Sequence, residues 1–152
     1  MKLSKDDYEL IHYEYSVLLK SVEYLEESFI QCKNIQIINF DELNSQDKIN
    51  IEALTSRFAR TSDIFLKKFL KLLAAIEFLE YQSLRDLIHI AEKKNWIESA
   101  DIWIKIRQLR NTIAHEYTIN DRKEIFQLTI NFSPYIINDS RQLENYIKQY
   151  HY

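Results

Sequence analysis

The chain has 152 residues, a formal net charge of −3 at pH 7, 46% hydrophobic residues and no glycine. Its length suits one domain, spanning 1–152, with a core of ordinary size. The missing glycine excludes the Gly-rich phosphate loops of P-loop NTPases, kinases and Rossmann enzymes, and it disfavours sheets joined by tight hairpins. The mildly acidic balance is not the footprint of a protein that coats nucleic acid by charge alone, but it leaves room for a local basic patch. The single cysteine, Cys32, can form neither an internal disulfide nor a zinc site. The N-terminal MKLSKDDYELIHYEY has no apolar signal region, and no apolar run approaches the roughly 20 residues of a membrane span. A cytoplasmic protein without membrane attachment is expected.

Tyr8, Ile11, Tyr15, Leu18, Val22, Leu25 and Phe29 step by three and four, one apolar stripe of a long first helix. Ser4 is placed to cap it, with Asp6 and Asp7 favourable to its dipole. Residues 33–48, KNIQIINFDELNSQDK, break that period and read as a connecting loop, with IQIINF as a candidate short extended piece. A second helix is expected from Ile49 to Tyr81, with Leu54, Phe58, Phe65, Phe69, Leu72, Ile76 and Leu79 on its stripe. A short third helix covers Leu84 to Lys94. Ser99 caps a fourth, whose core positions are Ile102, Ile106, Leu109 and Ile113. Asn120 or Asp121 starts the last helical region. Within it, Ser133-Pro134 reads as an N-cap followed by proline at the first helical position, so this region is expected to be kinked or split. The sum is an all-α bundle of about five helices.

The stretch LRNTIAHEYTIND, Leu109 to Asp121, concentrates the chemistry. At about 100° per residue, Arg110 lies at the edge of the fourth helix's buried stripe, and Tyr117 lies along the helix from it. His115 lies about 140° away, so a straight helix would point Arg110 and His115 in different directions. Either the helix ends before His115, or a second copy brings its own Arg110 to this His115. Histidine can take or give a proton near neutral pH, and arginine can stabilise charge building on a phosphate. RNA carries its own nucleophile, the 2′-hydroxyl, so two such sites, or one site with two histidines, would supply both acid and base without a metal.

RQLRNTIAHEY, Arg107 to Tyr117, resembles the signature of the HEPN superfamily: arginine, four residues beginning with a polar one (here Asn111), then histidine. The tyrosine two places after His115 is similar to the narrower form in HepT-type toxins of MNT–HEPN toxin–antitoxin pairs. The flanks AEKKNWIESADIWIKIRQLRN, Ala91 to Asn111, and RFARTSDIFLKKFL, Arg57 to Leu70, are also similar to that subfamily. The resemblance covers Ile51 to Tyr117. It implies an up-and-down, HEPN-like helical bundle that dimerises, with two motifs facing each other across a cleft. It implies a metal-independent ribonuclease acting on tRNA or mRNA, with Arg110 and His115 catalytic and Asn111 positioning the phosphate. It further implies a type VII-like toxin neutralised when a partner MNT-type nucleotidyltransferase moves AMP from ATP onto Tyr117. The chain itself would need no cofactor. The alternative is a non-catalytic substrate-binding companion of a nucleotidyltransferase.

Arg57, Arg60 and Asp63 recur at three-residue spacing on the second helix. They are either a solvated or ion-paired face, or they line the cleft, with Asp63 orienting a catalytic side chain and the arginines touching phosphate. Lys67, Lys68 and Lys71 continue that helix as a basic run. His12, His89 and His151 have no metal-ligand spacing and read as surface or core. Trp96 and Trp103 read as packing, and Cys32 as inert.

Overall fold

Ser4 starts the first helix as its position implies. Its Oγ accepts the backbone N–H of Asp7 at 3.1 Å. In the computed structural model, which describes residues 1–115 and 121–152, α1 then runs over Lys5–Cys32 and buries Ile11, Tyr15, Leu18, Val22 and Leu25. Tyr8 and Phe29, the ends of the expected stripe, pack against the same core.

The connection to the next helix is an irregular loop with one 3₁₀ turn, Phe40–Glu42. It is pinned by buried Ile37 and Phe40 while Ile38 faces solvent. Helix α2 begins earlier than the apolar period suggests, at Ser45 rather than Ile49, and spans Ser45–Asp63. Asn44 explains this: its side chain accepts the N–H of Asp47 at 2.7 Å, so a polar first turn with no core residue is still held. The backbone continues through a π-helical turn, Ile64–Phe69, into α3, Leu70–Ile76. These three pieces form one rod.

The π turn has a cause in the sequence. Downstream of Phe58 the buried residues come in pairs four apart: Thr61 and Ser62, Phe65 and Leu66, Phe69 and Leu70, Leu73 and Ala74. Four residues overshoot an α-helical turn by about 40° each time, so a uniform α-helix would rotate the later pairs off the core. The wider turn absorbs the difference. It also moves the expected stripe position from Leu72 to Leu73.

The rod ends at Ile76, five residues before the expected Tyr81. Phe78 adopts φ 54°. Its N–H bonds to Ala75 O at 3.2 Å and that of Leu79 to Ala74 O at 2.8 Å, the double bond of a Schellman ending. Helix α4, Leu84–Lys93, ends in the same way through Asn95, φ 57°, with Asn95 N–H on Glu92 O and Trp96 N–H on Ala91 O. A glycine-free chain therefore places phenylalanine and asparagine where glycine usually stands.

Ser99 caps α5, Ala100–Ala114. Helix α6 spans Arg122–Ile147 without a break and carries Pro134 in its interior. The expected split at Ser133 does not occur. The Ser133 hydroxyl donates to Thr129 O at 2.6 Å, one turn back, and so is no N-cap. Proline in a helix interior costs about 3 kcal/mol. The buried neighbours Thr129, Ile136, Ile137 and Leu143 keep both halves on the core and outweigh it.

Helix α1 and the second rod run in opposite directions. Along α1 and the second rod the touching pairs are Ser28 with Arg57, Ser21 with Thr61, and Tyr15 with Phe69. Helix α5 lies antiparallel to the same rod, with Arg110 at Asp63 and Trp103 stacked on Phe65 at 4.1 Å. Every helix contributes to one contiguous apolar cluster. Among the described residues there is no extended strand beyond the single Lys2–His151 bridge, and no helix is long and apolar enough to cross a membrane. The architecture is the expected all-α, up-and-down bundle.

Candidate active site

Helix α5 turns Trp103, Ile106 and Leu109 into the core. Arg110, the next position, stands at the edge of that stripe and is half-buried. Across from it, Asp63 is the last residue of α2. The two meet side-on. Arg110 Nε donates to Asp63 Oδ1 at 2.8 Å and Nη2 donates to Oδ2 at 2.7 Å. These are short, charge-assisted, bidentate bonds that fix the guanidinium plane. Among the described residues no acceptor takes Nη1. Lys67, one turn further on, places Nζ 3.4 Å from Asp63 Oδ1. Partial burial alone would raise the Asp63 carboxyl, but the Arg110 hydrogen bonds and the charges of Arg110 and Lys67 outweigh it and hold it below its ordinary value. The same pairing raises the Arg110 guanidinium.

Helix α5 ends at Ala114, so the backbone leaves the helix at His115. His115 has φ −91° and ψ 153°, and its backbone N–H closes onto the carbonyls of Asn111 and Thr112 at 3.2 and 3.3 Å. Its side chain is exposed, as is that of Asn111. Among the described residues no hydrogen bond or ion pair joins His115 to Arg110. Tyr117 lies outside the described residues.

The three residues at three-residue spacing part company here. Asp63 reaches Arg110. Arg57 does not, being tied to α1: Nη1 donates to Tyr24 O at 3.0 Å and Ser28 Oγ at 2.8 Å, and the guanidinium lies 5.3 Å over the Tyr24 ring. Arg60 is exposed, with no side-chain partner among the described residues. Because α2 and α5 run antiparallel, it lies on the His115 side of Asp63. Sequence reasoning left Lys67 as one member of a lysine run. Its four-residue spacing from Asp63 is the signal that separates it from Lys68 and Lys71.

Other candidates resolve as packing. Trp96 and Trp103 are buried, and Trp103 Nε1 donates to the buried Asp139 at 2.6 Å. Burial pushes the Cys32 thiol up to about 11, an unreactive state. His12 is exposed with its ring tilted against that of Tyr8, and His89 and His151 are exposed. Among the described residues no three of His, Cys, Asp and Glu are grouped to hold a metal. A groove of about 400 Å³ opens between α5 and α6 over Leu109, Ile125, Leu128 and Phe132, but neither Arg110 nor Asp63 lines it. A fixed guanidinium with a free edge can bind a phosphate, and the histidine that caps the end of the same helix can move a proton. No family model matches the chain, and no curated protein sequence matches it.

Proposed function

We propose that this chain is a HepT-like toxin of the HEPN superfamily, a cytoplasmic homodimeric ribonuclease silenced by a partner nucleotidyltransferase. The observation that carries the proposal is the bidentate Asp63–Arg110 pair, found on the arginine of the HEPN-like motif. A catalytic arginine must be held in one orientation, and a carboxylate from a neighbouring helix does this. The end of α5 before His115 adds support, since it frees that side chain from the helix face that would have turned it away.

In the proposed reaction the substrate's 2′-oxygen attacks the adjacent phosphorus and the bond to the 5′-oxygen breaks. The products are a 2′,3′-cyclic phosphate and a 5′-hydroxyl end. One histidine takes the 2′ proton and a second gives a proton to the leaving oxygen, which is why a dimer with two copies of His115 suits the chemistry. Arg110 stabilises the charge that builds on the phosphate oxygens, Asp63 positions Arg110, and Asn111 helps to seat the phosphate. Transfer of AMP from ATP to the Tyr117 hydroxyl, with pyrophosphate leaving, would add an anionic group to the motif and disfavour RNA binding. The non-catalytic companion reading draws on a different observation: within one chain no described contact joins His115 to Arg110.

Growth of a bacterial host after induction separates the two. Wild type should arrest growth, whereas Arg110→Ala and His115→Ala, expressed to equal levels, should not. Equal growth of all three would remove the ribonuclease reading and leave the companion.

A further inference from the structure

We infer that Lys67 is a second phosphate-binding cation of this site, and that Arg110 and Lys67 together take one internal phosphodiester of an RNA backbone. The inference rests on the ribonuclease reading and extends it to a residue outside the motif.

Three observations lead there. The first is charge. One carboxylate, Asp63, serves two cations, Arg110 and Lys67. The cluster therefore carries a net +1, which the single negative charge of a phosphodiester neutralises. The second is the inequality of the two contacts. Arg110 is held by two bonds of 2.8 and 2.7 Å and its side chain is 24% exposed. Lys67 makes one contact at 3.4 Å and is 50% exposed. A good charge-assisted bond is about 2.7–2.9 Å, so the arginine is fixed while the lysine is loosely tethered and can turn to an arriving anion. The third is direction. Asp63 occupies the Nε–Nη2 edge of the guanidinium, which leaves the end-on edge with Nη1 to meet phosphate oxygens.

The π turn makes Lys67 distinct from its neighbours. Phe65 and Leu66 before it and Phe69 after it are buried, and Phe65 is clamped on Trp103. The lysine stem thus springs from a fixed backbone beside Asp63. Lys68, the next residue, is exposed with no partner among the described residues. It offers the same charge in a different direction and serves as the internal control.

The test is the binding of a short fluorescent 2′-O-methyl oligonucleotide of mixed sequence, which cannot be cleaved, measured by anisotropy over a range of salt concentrations. Cleavage of the matching unmodified RNA is followed in parallel. Lys67→Gln should weaken binding about tenfold and lower the steepness of the salt dependence by about 0.7, the share of one phosphate contact on a single strand. Lys67→Arg should restore most of both, and Lys68→Gln should leave the slope as in wild type. Equal losses in Lys67→Gln and Lys68→Gln would overturn the inference, because diffuse charge would then explain binding. An unchanged Lys67→Gln in a wild type that still cleaves RNA would overturn the role of Lys67 alone. A wild type that neither binds nor cleaves would remove the ribonuclease reading along with it.

Discussion

Asp63 stands on the second helical rod and Glu77 just past its end; each pairs with a cation from a distant part of the chain, Arg110 on α5 or Lys94 just after α4, but they are finished differently. Glu77 is saturated. Lys94 donates to its Oε2 at 2.5 Å, Tyr150 donates to Oε1 at 2.8 Å, and Tyr146 donates to the same oxygen. Its side chain is only 9% exposed. The cluster fastens the end of α6 and the residues after it to the turn between α3 and α4. Asp63 is left 31% exposed. It holds one partner firmly and another weakly, and the guanidinium it grips keeps a free edge. A carboxylate with every oxygen engaged by the protein's own donors is spent on holding the fold. One whose partners keep capacity to spare is placed to hand them to a ligand.

The comparison can be broken by stability measurements. Glu77→Ala removes the acceptor of three groups and leaves two tyrosine hydroxyls and an ammonium without it, which should cost about 3 kcal/mol, read as a lower urea midpoint at unchanged slope. Asp63→Asn, at a more exposed pair, should cost about 1 kcal/mol or less. On the proposed ribonuclease reading its larger consequence should be on chemistry, with kcat for RNA cleavage falling about tenfold as Arg110 loses its fixed plane. If Asp63→Asn destabilises as much as Glu77→Ala, both pairs are structural and the contrast fails.

Acid titration sharpens the same point with a smaller effect. Burial would raise the Glu77 carboxyl, but the hydrogen bonds from Lys94, Tyr146 and Tyr150 outweigh it and hold it below its ordinary value. Asp63 is lowered as well. A carboxylate lowered on folding adds stability above its unfolded value, near pH 4, and that stability is lost as pH falls through the lower folded value. Stability should therefore hold above about pH 5 and decline below about pH 4. Glu77→Gln should flatten that decline more than Asp63→Asn, because solvent screens the exposed pair. Urea midpoints from about pH 5 down to about pH 3 would decide it, and an equal flattening in both would count against the contrast.

Much of the bundle was legible in the sequence because caps and stripes are local. Ser4 and Ser99 mark their helices by residue type alone, and the stripe of α1 needs no partner to be seen. The second rod was harder. Its first turn, SQDK, has no apolar residue, so only the Asn44 cap marks it, and its end carries no glycine because Phe78 takes the left-handed position. Ser133-Pro134 carries a start signal that burial on both sides overrides. At the site, Arg110 and His115 stood out from their motif, while Arg57 and Asp63 were equivalent by spacing. Only the antiparallel approach of α5 to α2 decides that Asp63 meets Arg110 across 47 positions, whereas the packing of α1 claims Arg57. That choice is a property of topology, and no local pattern encodes it.

The stacking of Trp103 on Phe65 gives the protein an optical handle on its own candidate site. Both tryptophans are shielded from water, so native emission should be blue-shifted and should move red on unfolding. Trp103 lies on the same helix as Arg110, and its ring rests on the turn that follows Asp63. Any loosening of α5 from that turn, whether by an RNA ligand or by a substitution, alters the surroundings of an intrinsic fluorophore. Ligand titrations can therefore be followed without a label, and Trp96→Phe would leave the signal to Trp103 alone.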